Sequence, residues 1–442
     1  MMFCGAWVKD KAVVRTLAIG GTLALLLVNI LEMNGIVFFT IRVEGMMNFD
    51  RFSLLFTNIA FAATFLYLLL SAREMEKPGN YFAEYLALVF FILAGIILAS
   101  SFQSLLILFL GIEIISIPLY ILTGSDKKNL KSNEASLKYF LLGSFSTGLM
   151  LMGIALIYGA TGTFATARMS GAEPTVLLVT GMILLLFSMA FKVSAAPFHF
   201  WTPDVYDGAP TVFTSFMATI VKAAVFVAFI RLFYEAFANE IGTWRIWIAL
   251  ITAATLFIGN ITAVFQQSVK RMLAYSSIAQ AGFMLLGIFA MNAEGKEGLI
   301  LYSAAYSLAT IGVFAVLMKM NDYTFDGFNG LARKEPLLAA TVTIFLLSLA
   351  GIPLTAGFMS KFLMLEAAMA TGKHLWLVIF AVLMAAVSVY YYFRVIQAMY
   401  FKEGEPGALS LSPVFKYTLL VLAALIILLG IFPNLLLNWY YF

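Results

Sequence analysis

Charged residues and metal-binding side chains are scarce in this sequence of 442 residues. Only 11% of the residues are charged and 62% are hydrophobic, against about 25% and about 45–50% in soluble domains. This balance leaves no room for a soluble domain. The single cysteine, Cys4, is too few for an iron–sulfur cluster or a disulfide framework, and the two histidines, His199 and His374, lie far apart in the chain. We therefore predict no metal site.

Nucleotide-binding and hydrolytic motifs are missing as well. The sequence contains no G-x-G-x-x-G, no Walker loop and no H-E-x-x-H, so neither nucleotide hydrolysis nor nicotinamide redox chemistry has a visible site in this chain. The net charge of +4 reflects an asymmetry between loops rather than a basic surface. No nucleic-acid partner is expected.

Long apolar runs dominate what is present, and they predict an all-α polytopic membrane protein. A helix of about 20 apolar residues crosses a bilayer, and thirteen runs reach that length. The predicted spans are 12–31, 49–71, 81–101, 102–123, 136–158, 174–203, 210–233, 243–265, 271–291, 297–319, 337–370, 374–399 and 415–435. An odd number of spans places the two termini on opposite faces of the membrane.

Lysines and arginines near the ends of the spans predict the orientation, because cytoplasmic loops carry an excess of them. Fourteen lie on the amino-terminal side and seven on the other. We therefore expect the amino terminus in the cytoplasm.

Two of the spans are too long for one crossing, and both contain proline. The span 174–203 has 30 residues and leads into FKVSAAPFHFWTPDVYDGAP at 191–210, where Pro197, Pro203 and Pro210 are expected to interrupt the helix. The span 337–370 has 34 residues and contains SLAGIPLTAGFMSKF, with Pro353 and Lys361. Because broken helices at membrane depth occur where the freed backbone is buried in protein or faces water, the two breaks predict an ion or substrate path.

The positions of the two breaks predict an internal repeat. If spans three to seven form one unit and spans eight to twelve another, the broken span is fourth in each, and the odd number of helices inverts the second unit. A weaker sequence similarity follows each break, around Arg231 and Arg394. The expected organisation is 1–80 with two spans, 81–233 and 243–399 with five helices each, and 415–442 with the last span.

Three charged residues lie near the middle of apolar runs: Glu113, Lys192 and Lys222. Each costs about 2.5–3.5 kcal/mol at the centre of a membrane helix, on the order of 8–10 kcal/mol together if unpaired. Glu113 and Lys192 could form a structural ion pair, or the lysines could reach towards an interface. These positions are too central for that reach, and one carboxylate cannot neutralise every lysine. Since burial disfavours the charged form of a lysine, the alternative we favour is proton exchange.

Other polar residues permit more than one interpretation. His199 lies within the first break and could titrate or could be a packed wall. Lys138 is the third residue of its predicted span, where an interfacial lysine is the default. Asp204 and Asp207 could cap a helix or line a mouth, and the pair at 270–271 is most simply a positively charged anchor.

Five stretches resemble the antiporter-like membrane subunits of the proton-pumping NADH–quinone oxidoreductase, respiratory complex I. They are LFLGIEIISIPLY at 108–120, EASLKYFLLGSFSTG at 134–148, VKRMLAYSSIAQAG at 269–282 and the two proline-containing stretches, and together they cover most of residues 50–400. Within that family, WTPDVYDGAP is similar to the subunit N branch, since relatives usually have histidine where Tyr206 lies. Lys361 also fits that branch, because subunit M usually has glutamate there.

The resemblance implies a function and a set of residues. Glu113 and Lys192 would form the charge pair of a first half-channel, Lys222 would be the central connecting lysine, and Lys361 the terminal one. Lys138 and His199 would lie along the same hydrophilic axis. This chain would hold no cofactor itself, with NADH, FMN, iron–sulfur clusters and quinone expected in partner subunits.

The resemblance also implies a setting. Its partners would be other membrane-arm subunits, including neighbouring antiporter-like ones, with the lipid bilayer around it and protons as cargo, in the inner membrane of a bacterium. Bacterial relatives resemble a fourteen-span protein, so we expect 12–31 to correspond to their second span. The alternatives are an Mrp-type cation/proton antiporter subunit built on the same spans, and a passive spacer in a membrane assembly.

Overall fold

The computed structural model describes residues 1–8, 10–38, 43, 45–78, 81–404, 407 and 411–441. In these residues the chain forms twenty α-helices, joined by short turns and by isolated β-bridges. The helices are α1 Met2–Trp7, α2 Lys11–Met33, α3 Arg51–Ser71, α4 Phe82–Ser101, α5 Leu105–Thr123, α6 Leu130–Thr161, α7 Thr166–Met169, α8 Val176–Lys192, α9 Trp201–Gly208, α10 Thr211–Phe216, α11 Lys222–Ala236, α12 Ile241–Val264, α13 Val269–Ala290, α14 Ala293–Leu317, α15 Leu331–Lys334, α16 Pro336–Ala350, α17 Ala356–Ala370, α18 Leu375–Phe401, α19 Pro413–Ile431 and α20 Asn434–Tyr441.

The predicted spans are confirmed. Within the described residues, eleven helical segments are long and apolar enough to cross a membrane, counting α10 and α11 as one segment, Thr211–Ala236. The remaining two predicted spans, 174–203 and 337–370, are the helix pairs α8 with α9 and α16 with α17. Polar caps set many of the boundaries: Asp50, Ser104 and Thr175 each accept a backbone N–H from the first turn of the helix that follows.

The first break lies at residues 193–200, between α8 and α9. Ser194 has a left-handed backbone with φ of 65°, and Pro197 lies within the gap. The prediction that Pro203 also interrupts the helix is wrong, because Pro203 is in the first turn of α9, where its missing N–H would have had no helical partner. The second break follows Ala350, where Gly351 caps α16 with a φ of 84°.

The two five-helix units are inverted relative to each other, and matching contacts identify corresponding positions. An isolated bridge joins Ser104 to Ala165 in the first unit, and another joins Ser268 to Thr324 in the second. Each connects the turn between the first two helices of its unit with the turn between the third and fourth. Five crossings separate the two serines, so they lie on opposite faces of the membrane.

The sequence similarity around Arg231 and Arg394 has a structural basis. Arg231, on the last helix of the first unit, donates to the carbonyl oxygens of Ser100 at 3.0 Å and Phe102 at 3.1 Å. Arg394, on the last helix of the second unit, donates to those of Val264 at 2.8 Å and Gln266 at 3.3 Å. Each arginine therefore holds the carbonyl groups at the end of the first helix of its own unit, which otherwise lack helical partners.

The most deeply buried spans lie in the middle part of the chain. The segment Thr211–Ala236 and the helix α14 are buried along the whole of their apolar windows, and α13 nearly so. Helix α14 packs against α16, α17 and the segment that contains Lys222. The segment Thr211–Ala236, α13 and α14 form the interior in which charged side chains are held.

Candidate functional site

Glu113 and Lys192 form an ion pair in the membrane interior, as predicted. Glu113 lies on α5 and Lys192 is the last residue of α8. The Lys192 Nζ is 3.7 Å from Glu113 Oε1, and the two side chains are only 6% and 19% exposed. This separation is longer than a direct charge-assisted hydrogen bond, which is about 2.7–2.9 Å.

Two hydroxyl groups fill the gap in this pair. Thr147 donates its hydroxyl to Glu113 Oε1 at 2.7 Å and accepts from Lys192 Nζ at 3.5 Å. Ser116 accepts a second hydrogen bond from Lys192 Nζ at 2.9 Å. The charges are therefore linked through Thr147 rather than in contact, so a small movement can tighten or open the pair.

Lys222 is buried, and it has no carboxylate partner in the described part of the chain. Its Nζ donates to the backbone oxygen of Ser277 at 2.9 Å and to the Ser277 hydroxyl at 3.0 Å, and it lies 5.9 Å from the centre of the Tyr206 ring. Among the described residues no acidic side chain has an oxygen within 4.0 Å of the Lys222 Nζ, the distance that defines an ion pair. Neutral oxygens alone hold this ammonium group.

The helix that carries Lys222 has an irregular turn directly before it. Residues Met217–Val221 are π-helical, between α10 and α11. A π-turn inserts an extra residue and rotates everything that follows, and such turns are frequent at functional sites. Lys222 is the first residue after this turn.

Lys361 reaches back across the second break. It lies on α17, and its Nζ donates to the carbonyl oxygens of Leu349 at 2.8 Å and Ala350 at 2.9 Å, the last residues of α16. The ring of Phe283 lies 4.7 Å away. The carbonyl end of a helix attracts positive charge, so Lys361 binds the end of the half-helix that the break creates.

A chain of polar side chains leads from the partner of Lys222 towards Lys361. Gln280 donates to the Leu349 carbonyl at 2.9 Å, the same oxygen that Lys361 contacts, and to the Tyr392 hydroxyl at 3.1 Å. The Tyr392 hydroxyl also hydrogen-bonds Ser276, which is next to Ser277. A small cavity beside Gln280 and Lys361 is lined by the tyrosines Tyr302 and Tyr306.

Lys138 lies apart from the polar chain that leads from Lys222 to Lys361. It is the ninth residue of α6, not the third as predicted, because the polar start of that helix does not resemble a membrane span. Its side chain is 42% exposed and pairs with Glu134 at 2.7 Å and Asp204 at 2.9 Å. With Asp207 these groups line an open cavity of about 240 Å³, so the mouth interpretation of the two aspartates fits better than capping.

His199 lies in the first break, and within the described residues it pairs with no charged side chain. Its ring packs against Phe200, with 4.7 Å between ring centres. Its Nδ1 is buried with no protein partner in the described part of the chain. A buried polar atom of this kind is normally bound by water.

The second unit has a neutral residue where the first has Glu113. Glu113 and Ser277 each lie nine residues after the serine that caps their helix, Ser104 and Ser268. In one unit this position offers a carboxylate to Lys192, and in the other it offers neutral oxygens to Lys222. The inverted repeat therefore places one charged and one neutral acceptor at equivalent positions.

Comparison with known proteins identifies the family. Residues 103–388 match the family described as NADH:quinone oxidoreductase/Mrp antiporter, TM. A NADH-quinone oxidoreductase subunit N from Trichlorobacter lovleyi is 42% identical over 404 residues, covering 88% of this chain and 82% of that relative. Another from Flavobacterium psychrophilum is 38% identical over 440 residues, covering 97% and 94%. The chain belongs to the subunit N family of NADH-quinone oxidoreductases.

Solved structures of related membrane complexes have the same fold. A chain of respiratory complex I from Thermus thermophilus, with bound aureothin, is 33% identical with a TM-score of 0.86, covering 99% of this chain and 96% of that one. A chain of the Mrp complex from a Dietzia species is 20% identical with a TM-score of 0.85, covering 99% and 93%. At that identity the likeness shows the fold alone, so the subunit N interpretation is favoured over the Mrp alternative.

In this member of the subunit N family, the neutral groups around the charges were not predicted from the sequence. These are Ser116, Thr147, Ser277, Gln280 and Tyr392. Only Ser116 had a local signal, since it lies one helical turn after Glu113. Serine, threonine and tyrosine are common in apolar helices, so their type alone did not distinguish them.

Lys270 and Arg271, which were predicted to be a positively charged anchor, differ in their surroundings. Arg271 is partly exposed and pairs with Asp204 at 3.1 Å, but Lys270 is only 3% exposed and donates to backbone oxygens of Asp207 and Ala209. In the described residues no group of three or more histidine, cysteine, aspartate or glutamate side chains could hold a metal ion.

We expect Thr147→Val to weaken the Glu113–Lys192 arrangement without changing side-chain volume much. The substitution removes the hydroxyl that links the two charges, and a buried charged group that loses a hydrogen bond costs about 1–3 kcal/mol. Thermal unfolding of the purified enzyme complex measures the loss, and Thr147→Ser, which keeps the hydroxyl, is the matched control. Equal unfolding temperatures for the valine and serine variants would show that Thr147 does not link the pair.

Proposed function

We propose that this chain is a proton-translocating membrane-arm subunit of an NADH-quinone oxidoreductase. Protons move through it along Glu113, Lys192, Lys222 and Lys361, coupled to quinone reduction in other subunits. The observation that carries the proposal is that the side chains of Lys192, Lys222 and Lys361 are buried, and that within the described residues Lys192 is the one of these three that pairs with a carboxylate. A lysine held by neutral oxygens alone can lose its proton without leaving an unpaired carboxylate behind.

The coupling is electrostatic. A charge change in a neighbouring subunit opens or tightens the Glu113–Lys192 pair, which Thr147 bridges. The field of Lys192 then shifts the proton affinity of Lys222. Such a mechanism needs a pair with two states of similar free energy.

Transfer from Lys222 to Lys361 uses the polar chain between them. The proton leaves Lys222 Nζ at the Ser277 oxygens and arrives at Lys361 by way of the Tyr392 and Gln280 region and water in the cavity beside it. Lys361 then releases it to one aqueous face. Only N–H and O–H bonds change in these steps.

Lys138 and His199 have supporting roles in this proposal. Lys138, with Asp204, lines an open cavity and provides charged groups at the entrance of the hydrophilic axis. His199 provides a titratable group within the first break, with an Nδ1 available to water.

The proposal also sets the surroundings of the chain. Its partners are other membrane-arm subunits, including antiporter-like neighbours, in the inner membrane of a bacterium, with the amino terminus in the cytoplasm. NADH oxidation, the flavin, the iron–sulfur clusters and quinone reduction belong to partner subunits. The five-helix units 81–233 and 243–399 each contribute one half-channel.

Lys222→Ala tests the relay. In membrane vesicles, we expect the variant to assemble and to reduce artificial electron acceptors at the parent rate, because no electron passes through this chain. The number of protons moved per NADH oxidised should fall, since the connecting group is gone. Lys373→Ala, which removes an exposed lysine in the turn before α18, is the control.

Two results would contradict the proposal. Parent-level proton movement in Lys222→Ala would exclude the relay. Full pumping after Glu113, Lys192 and Lys222 have all been made neutral would show that the chain is a passive spacer.

A further inference from the structure

Lys270 has the surroundings of a relay lysine rather than those of an anchor. Its Nζ donates to the backbone oxygens of Ala209 at 2.7 Å and Asp207 at 2.8 Å and lies 5.6 Å from the centre of the Tyr323 ring. In the part of the chain that the structure describes, no carboxylate is within 4.0 Å of it. Lys222 and Lys361 are held in the same manner, by two neutral oxygens near an aromatic ring.

Other lysines on the same face of the membrane are held differently. Lys319 pairs with Glu74 at 2.6 Å, and Lys138 pairs with two carboxylates. A carboxylate stabilises the charged form of a lysine, whereas neutral oxygens do so more weakly. Lys270 therefore groups with the residues that can exchange a proton.

A cavity connects Lys270 to the amino-terminal face. Its volume is about 520 Å³, and its wall includes Glu74, Asp126, Lys131, Asp207, Lys270 and Tyr323. One water molecule needs about 10–15 Å³ of such space, so the cavity holds many. We call it the Lys270 cavity.

The wall of the Lys270 cavity is charged as well as open. Burial alone would raise the pKa of the Glu74 carboxyl, but hydrogen bonds from Lys319 and Lys77 and their charges outweigh it and hold the pKa below its ordinary value. Glu74 lies in the turn between α3 and α4 and is therefore ionised at neutral pH. An ionised wall favours water in the cavity.

Helix α13 carries both Lys270 and Ser277, the hydrogen-bond partner of Lys222. Lys270 and Ser277 are seven residues apart on α13, which is about two turns and about 10 Å on the same face of a helix. Ser277 holds Lys222. The end of α9 also connects the two lysines. Lys222 lies against the ring of Tyr206, and Lys270 donates to the backbone oxygen of Asp207, the next residue.

Helix α14 carries two further buried hydroxyl groups. Tyr306 and Thr310 lie one turn apart on α14, and both hydroxyls are buried with no protein partner in the described residues. The same helix ends beside the Lys270 cavity, which Met318 lines. Buried hydroxyls of this kind are normally bound by water, so each offers a site for water on the helix that packs against the Lys222 segment.

We propose that Lys270 is the proton-loading group of an entrance branch, which connects the amino-terminal face to Lys222 through the Lys270 cavity. Lys270 gives a proton through the Ser277 region to the neutral amine of Lys222 and is reprotonated by cavity water. Only N–H and O–H bonds form and break, and no electron moves. This inference rests on the proposed function, because it supplies protons to the same relay.

The test separates proton exchange from a structural role at the end of α9. Lys270→Arg keeps the positive charge and the donors to Asp207 and Ala209 but cannot release a proton. In vesicles of the whole enzyme complex, we expect Lys270→Arg to lower the protons moved per NADH as much as Lys222→Ala does. Lys128→Gln, which removes an exposed lysine on the same face, should behave as the parent.

The double variant Lys270→Arg with Lys222→Ala sharpens the test. If both residues act in one route, the double variant is no worse than either single variant, since additivity fails for coupled sites. Parent-level pumping in Lys270→Arg, or losses that add in the double variant, would overturn the entrance branch while leaving the relay intact. Parent-level pumping in Lys222→Ala would instead overturn the proposed function itself.

Discussion

Glu113→Leu is expected to destabilise the chain by about 3–5 kcal/mol, because it leaves Lys192 buried with no carboxylate. Chemistry sets an upper limit of similar size on this destabilisation, because Lys192 can avoid an unpaired charge by losing its proton. An ordinary lysine has a pKa of about 10.4, so removing its proton at pH 7 costs about 4.6 kcal/mol. The purified enzyme complex should therefore unfold at a lower temperature. Electron transfer to artificial acceptors should be unchanged in whatever fraction remains assembled.

The double variant Glu113→Leu with Lys192→Met separates stability from function. Replacing both partners of a buried ion pair by apolar residues is often neutral or stabilising, so we expect the unfolding temperature to recover while proton pumping does not. Glu173→Gln, which removes an exposed carboxylate in the turn before α8, controls for the loss of one negative charge. A double variant less stable than Glu113→Leu would mean that the two residues are not a pair.

Gly357→Ala should have a second large effect, on the break that Lys361 spans. A Cβ at Gly357 would overlap the Ser348 carbonyl oxygen and would lie 2.6 Å from the carbon of that carbonyl group. These are backbone atoms that cannot rotate away, so α17 must move from the end of α16. Overpacking costs about 1–3 kcal/mol, occasionally more, and we expect the upper end of that range.

The movement should also stop proton transfer. Lys361 contacts the Leu349 and Ala350 carbonyls only because the first turn of α17 lies directly against α16. Unfolding temperature and protons moved per NADH measure the two effects. Gly148→Ala on α6, where an added methyl meets nothing within 4 Å, is the control, and equal behaviour of the two alanine variants would contradict the predicted clash.

The spans and the central charges could be predicted from the sequence because both are local properties. A run of apolar residues must cross the membrane wherever the rest of the chain lies. A charge in such a run carries its cost in any fold, which is why Glu113, Lys192 and Lys222 could be recognised before their partners were known. The breaks could be predicted for the same reason, since Pro197 and Pro353 act on their own backbone.

The partners of these charges depend on packing between distant helices. Thr147 lies 34 residues from Glu113, and Ser277 lies 55 residues from Lys222. No spacing rule connects such positions. The π-turn at Met217–Val221 is equally invisible, because the same residues could form a regular helix and only contacts with neighbouring helices select the irregular one.

Lys138 and Lys270 show where the boundary lies. Each is a lysine near the amino-terminal end of a membrane helix on the same face, and the sequence by itself determined the span, the face and the positive charge of both. The tertiary structure alone decided that Lys138 is 42% exposed beside two carboxylates, whereas Lys270 is buried against backbone oxygens. The reason is physical: hydropathy sets how deep a residue lies in the membrane, but the helices that pack around it decide whether its charge meets water, a carboxylate or neither.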